Sequence, residues 1–349
     1  MTVDETYMQR CLDLAIKGLG NVAPNPMVGC VIVHEGKIIG EGFHQQYGQA
    51  HAEVNAVNSV QPELKHLLSS STLYVNLEPC SHFGKTPPCA DMIIANKIPH
   101  VVIGSNDPNP KVSGNGIKKL KDAGVEVISG VLKTESDFLN RCFITYHTKH
   151  RPYIILKWAQ SDDGFMSPAE PKQLWLTNDS SRKLTHQWRS EEQAIMVGKR
   201  TVEIDNPALT VRLVKGKNPV RLVIDRELSL KITNRIFKEK GQLFLYNEID
   251  HSDDEKLSLV QLNFEQDVLP QIMEHLFAKE IQSLIVEGGL YTLQQFIDSN
   301  LWDEARIFTT AHILGEGKKS PELNGKIISD EMIEGDKLRV MMNERINSN

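Results

Sequence analysis

Three side chains in the amino-terminal part of the chain, His51, Cys80 and Cys89, are of the types that bind zinc. Imidazole nitrogen and thiolate sulfur are common zinc ligands, and a site with three protein ligands keeps a fourth position for water. Glu53 lies two residues after His51, which places a carboxylate near the metal without requiring that it bind. The four residues therefore predict a metal that activates water and a glutamate that moves protons.

The order of these residues is typical of zinc-dependent nucleobase deaminases, in which His-x-Glu is followed by Pro-Cys and a second cysteine. Here Pro79 precedes Cys80, but eight residues separate Cys80 from Cys89, whereas the common pattern has two. His82 is therefore an alternative third ligand, and iron is an alternative metal for the same ligand types. One histidine and two cysteines are also often core residues, yet that interpretation leaves Glu53 and Pro79 unexplained.

Length and composition describe an ordinary globular protein. The chain has 349 residues, enough for two domains, of which 40% are hydrophobic and 24% charged. A formal net charge of −6 argues against a nucleic-acid partner, because nucleic-acid binding usually leaves a basic surface. No apolar run is long enough to span a membrane. We therefore expect a small-molecule substrate, and neither a nucleic-acid nor a membrane partner. A homo-oligomer is a separate expectation.

Cysteine usage indicates a reducing compartment. The five cysteines are scattered and odd in number, unlike a disulfide framework, and thiolate ligands must stay reduced. The first residues are acidic and lack the apolar segment of a secretory signal. A cytoplasmic protein is the expectation.

The elements around the metal ligands alternate as in an α/β domain. His51 stands where a helix would begin, and Cys80 lies just beyond a predicted strand, positions at which α/β sheets build sites. Periodicity predicts helices at 4–17, near 89–97 and near 116–123, and strands at 28–33, 37–42, 72–77, 100–104 and 125–128.

A second strand-rich block follows Arg151-Pro152, so we place the domain boundary between residues 1–148 and 149–349. Gly288-Gly289 lies between an apolar strand and a helix, where the backbone can approach a phosphate, although such a pair is more often a tight turn. No G-x-G-x-x-G follows a strand. The block has predicted strands at 153–158, 194–198, 220–225, 242–246 and from 283, and helices near 179–190, 268–279 and 292–297.

Over nearly its full length the chain resembles the bifunctional deaminase-reductases of riboflavin biosynthesis. The deaminase motifs are Asn25-Pro26-Met27-Val28-Gly29, His51-Ala52-Glu53, Leu77-Glu78-Pro79-Cys80-Ser81-His82, Gly84-Lys85-Thr86-Pro87-Pro88-Cys89 and Asp107-Pro108-Asn109-Pro110. The reductase motifs include Leu156-Lys157, Trp175-Leu176-Thr177, His186 with Arg189, Asp205-Asn206-Pro207, Leu209-Thr210-Val211-Arg212, Ile224-Asp225 and Glu287-Gly288-Gly289. The long spacing between the cysteines is itself the pattern of this family.

The resemblance implies two α/β domains. The first would be a cytidine-deaminase-like three-layer α/β/α domain, and the second a dihydrofolate-reductase-like domain. Zinc would bind to His51, Cys80 and Cys89, with Glu53 as the catalytic proton shuttle. The substrate of the deaminase would contact Asn25, His44, Lys85, Thr86 and Asn109. Lys85 suits a phosphate, although a lysine in this composition is more often simply solvated.

The reductase half would bind NADPH and the sugar phosphate of its substrate. The residues implied for NADPH are Ala159, Trp175, Thr201, Asp205, Gly289, Leu290, Tyr291, Thr292 and Leu293. Those implied for the substrate are Gln173, Arg189, Leu209, Arg212 and Glu287. Lys157 and Asp205 are the charged candidates for proton transfer. Gln173 and Arg226 depart from the family, which often has serine there; either is readily a surface residue, but Arg226 would suit the additional phosphate of NADPH.

The implied reactions are hydrolytic deamination of a diaminopyrimidinone carrying a phosphoribosylamino group, followed by NADPH-dependent reduction of its ribosyl group to ribityl. One alternative is a deaminase of a free nucleotide or of nucleic acid, with a regulatory second domain. Another is a non-catalytic protein in which zinc holds the fold, which a fourth protein ligand would support.

Overall fold

The structure is a computed structural model that describes residues 1–81, 87–109, 113–170 and 172–344. The chain divides into two units, Met1–His150 and Arg151–Asn349. Within the described ranges, no helix combines the length and apolar character needed to cross a membrane.

The first unit is a five-stranded sheet with helices on both faces, in the strand order β2-β1-β3-β4-β5. Strand β1 is antiparallel to β2 and β3, whereas β3, β4 and β5 are parallel. The helices are α1 (Val3–Ala15), α2 (Ala52–Ser59), α3 (Cys89–Ala95), α4 (Asn115–Asp122), α5 (Lys133–Leu139) and α6 (Arg141–Lys149). The strands are β1 (Gly29–His34), β2 (Lys37–Phe43), β3 (Thr72–Leu77), β4 (His100–Ser105) and β5 (Glu126–Ser129).

Alternation along the strands builds the two cores of this unit, because successive side chains point to opposite faces. Ile32 and Val75 belong to a core with residues of α2, α3 and α4. Val31 and Tyr74, their neighbours in sequence, belong to a separate core with residues of α1. The predicted three-layer α/β/α architecture is confirmed.

Helix α1 lies very close to β1 because residue 29 is glycine. A Cβ atom on Gly29 would lie 2.0 Å from the carbonyl oxygen of Cys11. The strand that leads into the site therefore packs directly against the helix backbone.

The second unit is a nine-stranded sheet in the order β11-β10-β9-β8-β12-β6-β13-β16-β15. The strands from β11 to β13 are parallel, and β16 and β15 continue the sheet in antiparallel pairing. The nine strands of this sheet are β6 (Tyr153–Ser161), β8 (Ala194–Gly198), β9 (Val220–Ile224), β10 (Leu243–Asn247), β11 (Leu257–Gln261), β12 (Ser283–Val286), β13 (Glu304–Thr310), β15 (Lys326–Ile333) and β16 (Asp336–Met342). Strands β7 (Phe165–Ser167) and β14 (Lys318–Lys319) pair with each other in a separate two-stranded antiparallel sheet. The helices are α7 (Asp179–Glu191), α8 (Lys199–Asp205), α9 (Val268–Ala278) and α10 (Leu290–Asp298).

Strands β8 and β12 are adjacent and parallel, so their carboxyl ends meet at one edge of the sheet. Strand β8 runs directly into α8, and β12 runs through Glu287-Gly288-Gly289 into α10. This is the edge at which parallel sheets bind ligands. The predicted α/β class of the second domain is confirmed.

Candidate active sites

His51, Cys80 and Cys89 meet at one place in the first unit. His51 Nδ1 lies 3.6 Å from Cys80 Sγ and 3.3 Å from Cys89 Sγ. His51 caps the amino terminus of α2, Cys80 follows β3, and Cys89 is the first residue of α3. Their ligand atoms all lie within 4.8 Å of one another, and the described residues supply no fourth member of this group. His82, the alternative ligand, lies outside the described residues.

The protonation of the two cysteines suits a metal. Hydrogen bonding with Cys89, and secondarily with His51, lowers the pKa of the Cys80 thiol. The pKa of Cys89 is raised, first by its hydrogen bond with Cys80 and then by burial. The backbone N–H of Cys89 also donates to Cys80 Sγ at 3.3 Å. One sulfur is thus poised as a thiolate, and the set of one imidazole and two sulfurs fits zinc.

Glu53 lies in the first turn of α2 with only 3% of its surface exposed. Burial raises the pKa of its carboxyl group, and the negative charge of Cys80 raises it further. A raised pKa makes this carboxyl group a better proton acceptor than an ordinary glutamate, which suits a general acid-base group.

His44 and Asn25 form a second polar pair beside the metal ligands. His44 Nε2 lies 3.1 Å from Asn25 Nδ2, and His44 Nδ1 lies 3.0 Å from the carbonyl oxygen of Ala50. Burial lowers the pKa of His44, so the ring is neutral, with its proton on Nδ1 facing Ala50. The ring meets His51 edge-on at 5.4 Å between centroids.

Two buried asparagines hold the segment that carries Asn25. Asn140 donates to the carbonyl oxygen of Met27 at 2.9 Å and accepts from the Met27 N–H at 2.8 Å. Asn76 donates to the same carbonyl at 3.0 Å and accepts from the Gly29 N–H at 2.8 Å. Sequence reasoning missed both asparagines, since no motif marks a side chain that binds only backbone.

Asn109 lies in the loop after β4, where its N–H donates to Asp107 Oδ1 at 2.8 Å. Asp107 is buried, and burial together with the charges of Glu78 and Cys80 raises the pKa of its carboxyl group to about 7. The loop therefore lies near the metal ligands. Lys85 and Thr86, the other two predicted substrate residues, lie outside the described residues.

The second unit contains a cavity of about 1850 Å³ at the edge where β8 and β12 end. It is lined by all five residues predicted for the reductase substrate, Gln173, Arg189, Leu209, Arg212 and Glu287, and by eight of the nine predicted for the cofactor, Ala159, Trp175, Thr201, Asp205, Gly289, Leu290, Tyr291 and Thr292. Leu293, the ninth, is fully buried in the hydrophobic core because it faces inward from α10.

The backbone comes unusually close to neighbouring side chains where β8 and β12 end at this cavity. A Cβ atom on Gly198 would lie 2.6 Å from Thr292 Oγ1, and one on Gly289 would lie 3.2 Å from Thr201 Oγ1. Gly289 also has a φ of +72°, which favours glycine. The amino terminus of α10 is therefore open to an anionic group, which fits a dinucleotide phosphate.

A buried ion pair forms the other side of the cavity. Arg189 Nε and Nη2 donate to the two oxygens of Glu287 at 2.8 and 2.5 Å. Burial alone would raise the pKa of Glu287. The positive charges of Arg189 and Lys157 outweigh this effect and hold the pKa below its ordinary value. Lys157 is partly buried in the cavity wall, and desolvation lowers its pKa.

Two cationic residues that the sequence did not single out, Arg182 and Lys318, also line the cavity. Arg182 stacks over Trp175 with 5.4 Å between its Cζ and the ring centroid. Lys318 reaches the cavity from β14, a two-residue strand without a sequence signal. Arg226 lines it as well, but its Nε donates to Glu248 at 2.8 Å. Gln173 donates to the carbonyl oxygen of Asp205 at 3.2 Å.

Two family models match the chain. Residues 1–105 match the cytidine and deoxycytidylate deaminase zinc-binding region. Residues 152–338 match the RibD C-terminal domain. The three predicted metal ligands, His51, Cys80 and Cys89, lie within the first match, and the residues that line the cavity lie within the second.

The chain is similar to curated relatives and to solved structures over most of its length. The chain is 40% identical over 338 residues to riboflavin biosynthesis protein RibD of Aquifex aeolicus (strain VF5), covering 95% of this chain and 93% of the relative. It is 35% identical over 329 residues to RibD of Escherichia coli (strain K12), covering 89% of each. Among solved structures, it is similar to a diaminohydroxyphosphoribosylaminopyrimidine deaminase/5-amino-6-(5-phosphoribosylamino)uracil reductase from Thermotoga maritima, with a TM-score of 0.88, 38% identity and coverage of 98% and 99%. Acinetobacter baumannii RibD gives a TM-score of 0.88 at 29% identity, with coverage of 97% and 98%.

Proposed function

The chain belongs to the RibD family, and from that membership we propose the substrates, metal and cofactor of its two sites. It is a bifunctional deaminase and reductase of riboflavin biosynthesis, with a zinc-binding deaminase domain followed by a reductase domain. The main support for two separate sites is that the two groups of residues lie in different units. His51, Cys80 and Cys89 lie with Glu53 in the first unit, and the cavity lined by basic side chains lies in the second.

We propose that the first unit deaminates a diaminopyrimidinone that carries a phosphoribosylamino group. His51, Cys80 and Cys89 would hold zinc, which supplies the Lewis acidity that makes a water molecule nucleophilic. Glu53 takes the proton from that water and delivers it to the leaving amino nitrogen, so that ammonia departs. The raised pKa of Glu53 supports this role, because the group must be acid and base in turn.

Substrate binding in the first unit is assigned to Asn25, His44 and Asn109, together with Lys85 and Thr86. The neutral His44 ring and the Asn25 amide offer hydrogen bonds suited to a heterocycle. Lys85 would bind the phosphate as a point charge.

We propose that the second unit reduces the ribosyl group of the deaminated product to ribityl with NADPH. The cofactor supplies the hydride, and the chain supplies its alignment. Thr201, Thr292 and the Gly289 turn would hold its phosphates, while Leu293 supports α10 from the core. The remaining cofactor residues are Ala159, Trp175, Asp205, Leu290 and Tyr291.

The substrate of the reductase would bind on the side of the cavity that contains the Arg189–Glu287 ion pair. Gln173, Leu209 and Arg212 also line the cavity and would contact it. Lys157 and Asp205 are the proposed proton-transfer candidates. Burial lowers the pKa of Lys157 and raises that of Asp205, so both are shifted toward neutral pH.

We further propose self-association and a cytoplasmic location. The edge strand β15 exposes Ile327, Ile328 and Met332, and exposed apolar side chains at a sheet edge favour pairing with another chain. A compartment that keeps Cys80 and Cys89 reduced is needed for metal binding. Sedimentation of the purified chain tests the first point, and a single monomeric species would contradict it.

The deciding experiment supplies the diaminopyrimidine ribosylamine phosphate and follows ammonia and NADPH together, with and without a chelator. Ammonia release should stop with the chelator, and NADPH oxidation should persist when the deaminated intermediate is supplied. The reductase assignment fails if NADPH is not consumed even with that intermediate. The metal assignment fails if ammonia release survives complete removal of zinc.

A further inference from the structure

Glu78 is a buried carboxylate between the metal ligands and the loop that carries Asn109. It follows β3 directly, precedes Cys80 by two residues and is only 4% exposed. Its own N–H donates to the carbonyl oxygen of Ser105 at 2.9 Å, which ties it to the end of β4. None of the roles described above uses this side chain.

The carboxylate of Glu78 accepts four backbone hydrogen bonds from the two ends of one loop. Its Oε2 accepts from the N–H of Asp107 at 3.3 Å and of Gly114 at 3.0 Å. Its Oε1 accepts from the N–H of Gly116 at 2.9 Å and of Ile117 at 3.2 Å. A single side chain therefore holds both ends of the loop, the end that follows β4 and the end that leads into α4.

Glu78 also caps the amino terminus of α4, because the N-cap residue of that helix has no side chain that could do so. The residue before this helix is Gly114, which has a φ of +75° and no side chain to accept from the first turn. A carboxylate at a helix amino terminus satisfies free N–H groups and interacts favourably with the helix dipole. The first turn of α4 lies so near Pro79 that a Cβ atom on Gly116 would be 2.0 Å from the Pro79 carbonyl oxygen.

The conformation of Asn109 follows from these contacts. The N–H of Asn109 donates to the side chain of Asp107, whose own N–H is held by Glu78. The carbonyl oxygen of Asn109 accepts from the N–H of Ser113 at 2.9 Å, next to Gly114, which Glu78 also holds. Asn109 is thus connected to Glu78 from both directions.

We propose that Glu78 is a positioning residue for deamination, which holds the loop between β4 and α4 so that Asn109 faces the pyrimidine substrate. This inference rests on the proposed function of the first unit. A loop that is free to adopt other conformations lowers apparent affinity by the fraction of molecules in the competent one. Loss of Glu78 therefore weakens substrate binding, while the metal and Glu53 still perform the chemistry on bound substrate.

The test is Glu78→Gln in the full-length chain, compared with Glu63→Gln, the same change at an exposed glutamate of the same unit. The amide keeps the shape but turns a donor toward one pair of N–H groups. We expect KM for ammonia release to rise about tenfold or more and kcat to change less than about threefold. Zinc content and NADPH oxidation with the deaminated intermediate should match those of Glu63→Gln.

Unchanged KM, or loss of zinc or kcat without a rise in KM, would overturn the proposal, since Glu78 would then serve the metal or the fold alone. If Glu78→Gln does not fold, Glu78→Asp is measured instead. Its side chain keeps the charge but is too short to reach both ends of the loop, so KM for ammonia release should still rise relative to Glu63→Gln, with zinc retained. If the unmodified chain releases no ammonia from this substrate, the proposed function itself fails, which is a different result.

Discussion

Glu53 and Glu287 are both buried glutamates, but their surroundings give them opposite chemical character. Burial and the charge of Cys80 raise the pKa of Glu53, whereas Arg189 and Lys157 hold that of Glu287 down. The first carboxyl group is thereby suited to carry a proton, and the second remains an anion. The partner of each, and not the residue type, decides which role is available.

Replacing Glu53 with glutamine should abolish ammonia release, because an amide cannot accept the proton of water. The expected loss is at least about 1000-fold in kcat, with zinc content unchanged. NADPH oxidation with the deaminated intermediate should also be unchanged, as it should be in the exposed control Glu135→Gln. Ammonia release at an ordinary rate in Glu53→Gln would show that another group transfers the proton.

Replacing Glu287 with alanine should destabilise the second unit, because it leaves the Arg189 guanidinium buried without its partner. The expected cost is about 3–5 kcal/mol in the free energy of unfolding, with loss of NADPH oxidation. Trp158, Trp175, Trp188 and Trp302 all lie in the second unit, so tryptophan fluorescence during denaturant unfolding reports on that unit alone.

Glu274→Ala, at an exposed glutamate of α9, is the matched control for this change and should unfold at nearly the denaturant concentration of the unmodified chain. Equal unfolding midpoints for Glu287→Ala and Glu274→Ala would mean that the buried pair does not stabilise the unit. Ammonia release should survive in both variants.

At the scale of elements, the parts that hold the metal were predictable because each has a strong local signal. Strands β3 and β8 were predicted with the bounds they have, and α3, α4, α7 and α9 lie within a few residues of their predicted positions. The elements without such a signal were missed. They are α5, α8, β7, β11 and the strands from β13 onward.

Strand β13 illustrates why some elements were hidden. Its buried residues include Glu304 and Arg306, whose Oε1 and Nε atoms lie 2.6 Å apart. These charged residues interrupt the apolar sequence pattern that is typical of a buried strand. Strand β15 has the opposite problem, because most of its side chains are exposed. Partners that neutralise a buried charge come from the fold and cannot be read from local periodicity.

Two histidines of the second unit, His186 and His275, should make its stability sensitive to acid, because burial lowers their pKa values. His275 Nδ1 lies 3.0 Å from the hydroxyl of Tyr246. Burial lowers the pKa of His275 to about 4, and burial with Arg189 and Arg212 lowers that of His186 to about 4. Between an unfolded value of 6.5 and about 4, the unfolded chain binds more protons, so stability falls as pH falls through this window.

The denaturant midpoint measured by tryptophan fluorescence should therefore decrease from pH 7 to about pH 4.5. His275→Gln should reduce this decrease, whereas His312→Gln, at an exposed histidine of the same unit, should leave it unchanged. A midpoint that is constant over this range would refute the role of His186 and His275.

At the scale of the whole molecule, each unit has its own sheet, its own core and its own site. The residues assigned to deamination all precede His150, and those assigned to reduction all follow Arg151. A defect in one site should therefore leave the chemistry of the other intact.

Mixing two defective chains tests this independence. Glu53→Gln alone should neither release ammonia nor oxidise NADPH from the starting substrate, and Glu287→Ala alone should release ammonia only. The mixture should restore NADPH oxidation, because the intermediate released by one chain is reduced by the other. Ammonia release without NADPH oxidation in the mixture would mean that the free intermediate does not reach the second site.

The four hydrogen bonds to Glu78 have a consequence for protein engineering. They all come from backbone N–H groups, so they make no demand on the side chains of the loop they hold. A grafted segment that keeps Asp107 at its start and glycines at 114 and 116 retains the same anchorage. Because these anchors are backbone groups, substitutions at Asn109 should change substrate preference without altering the metal ligands.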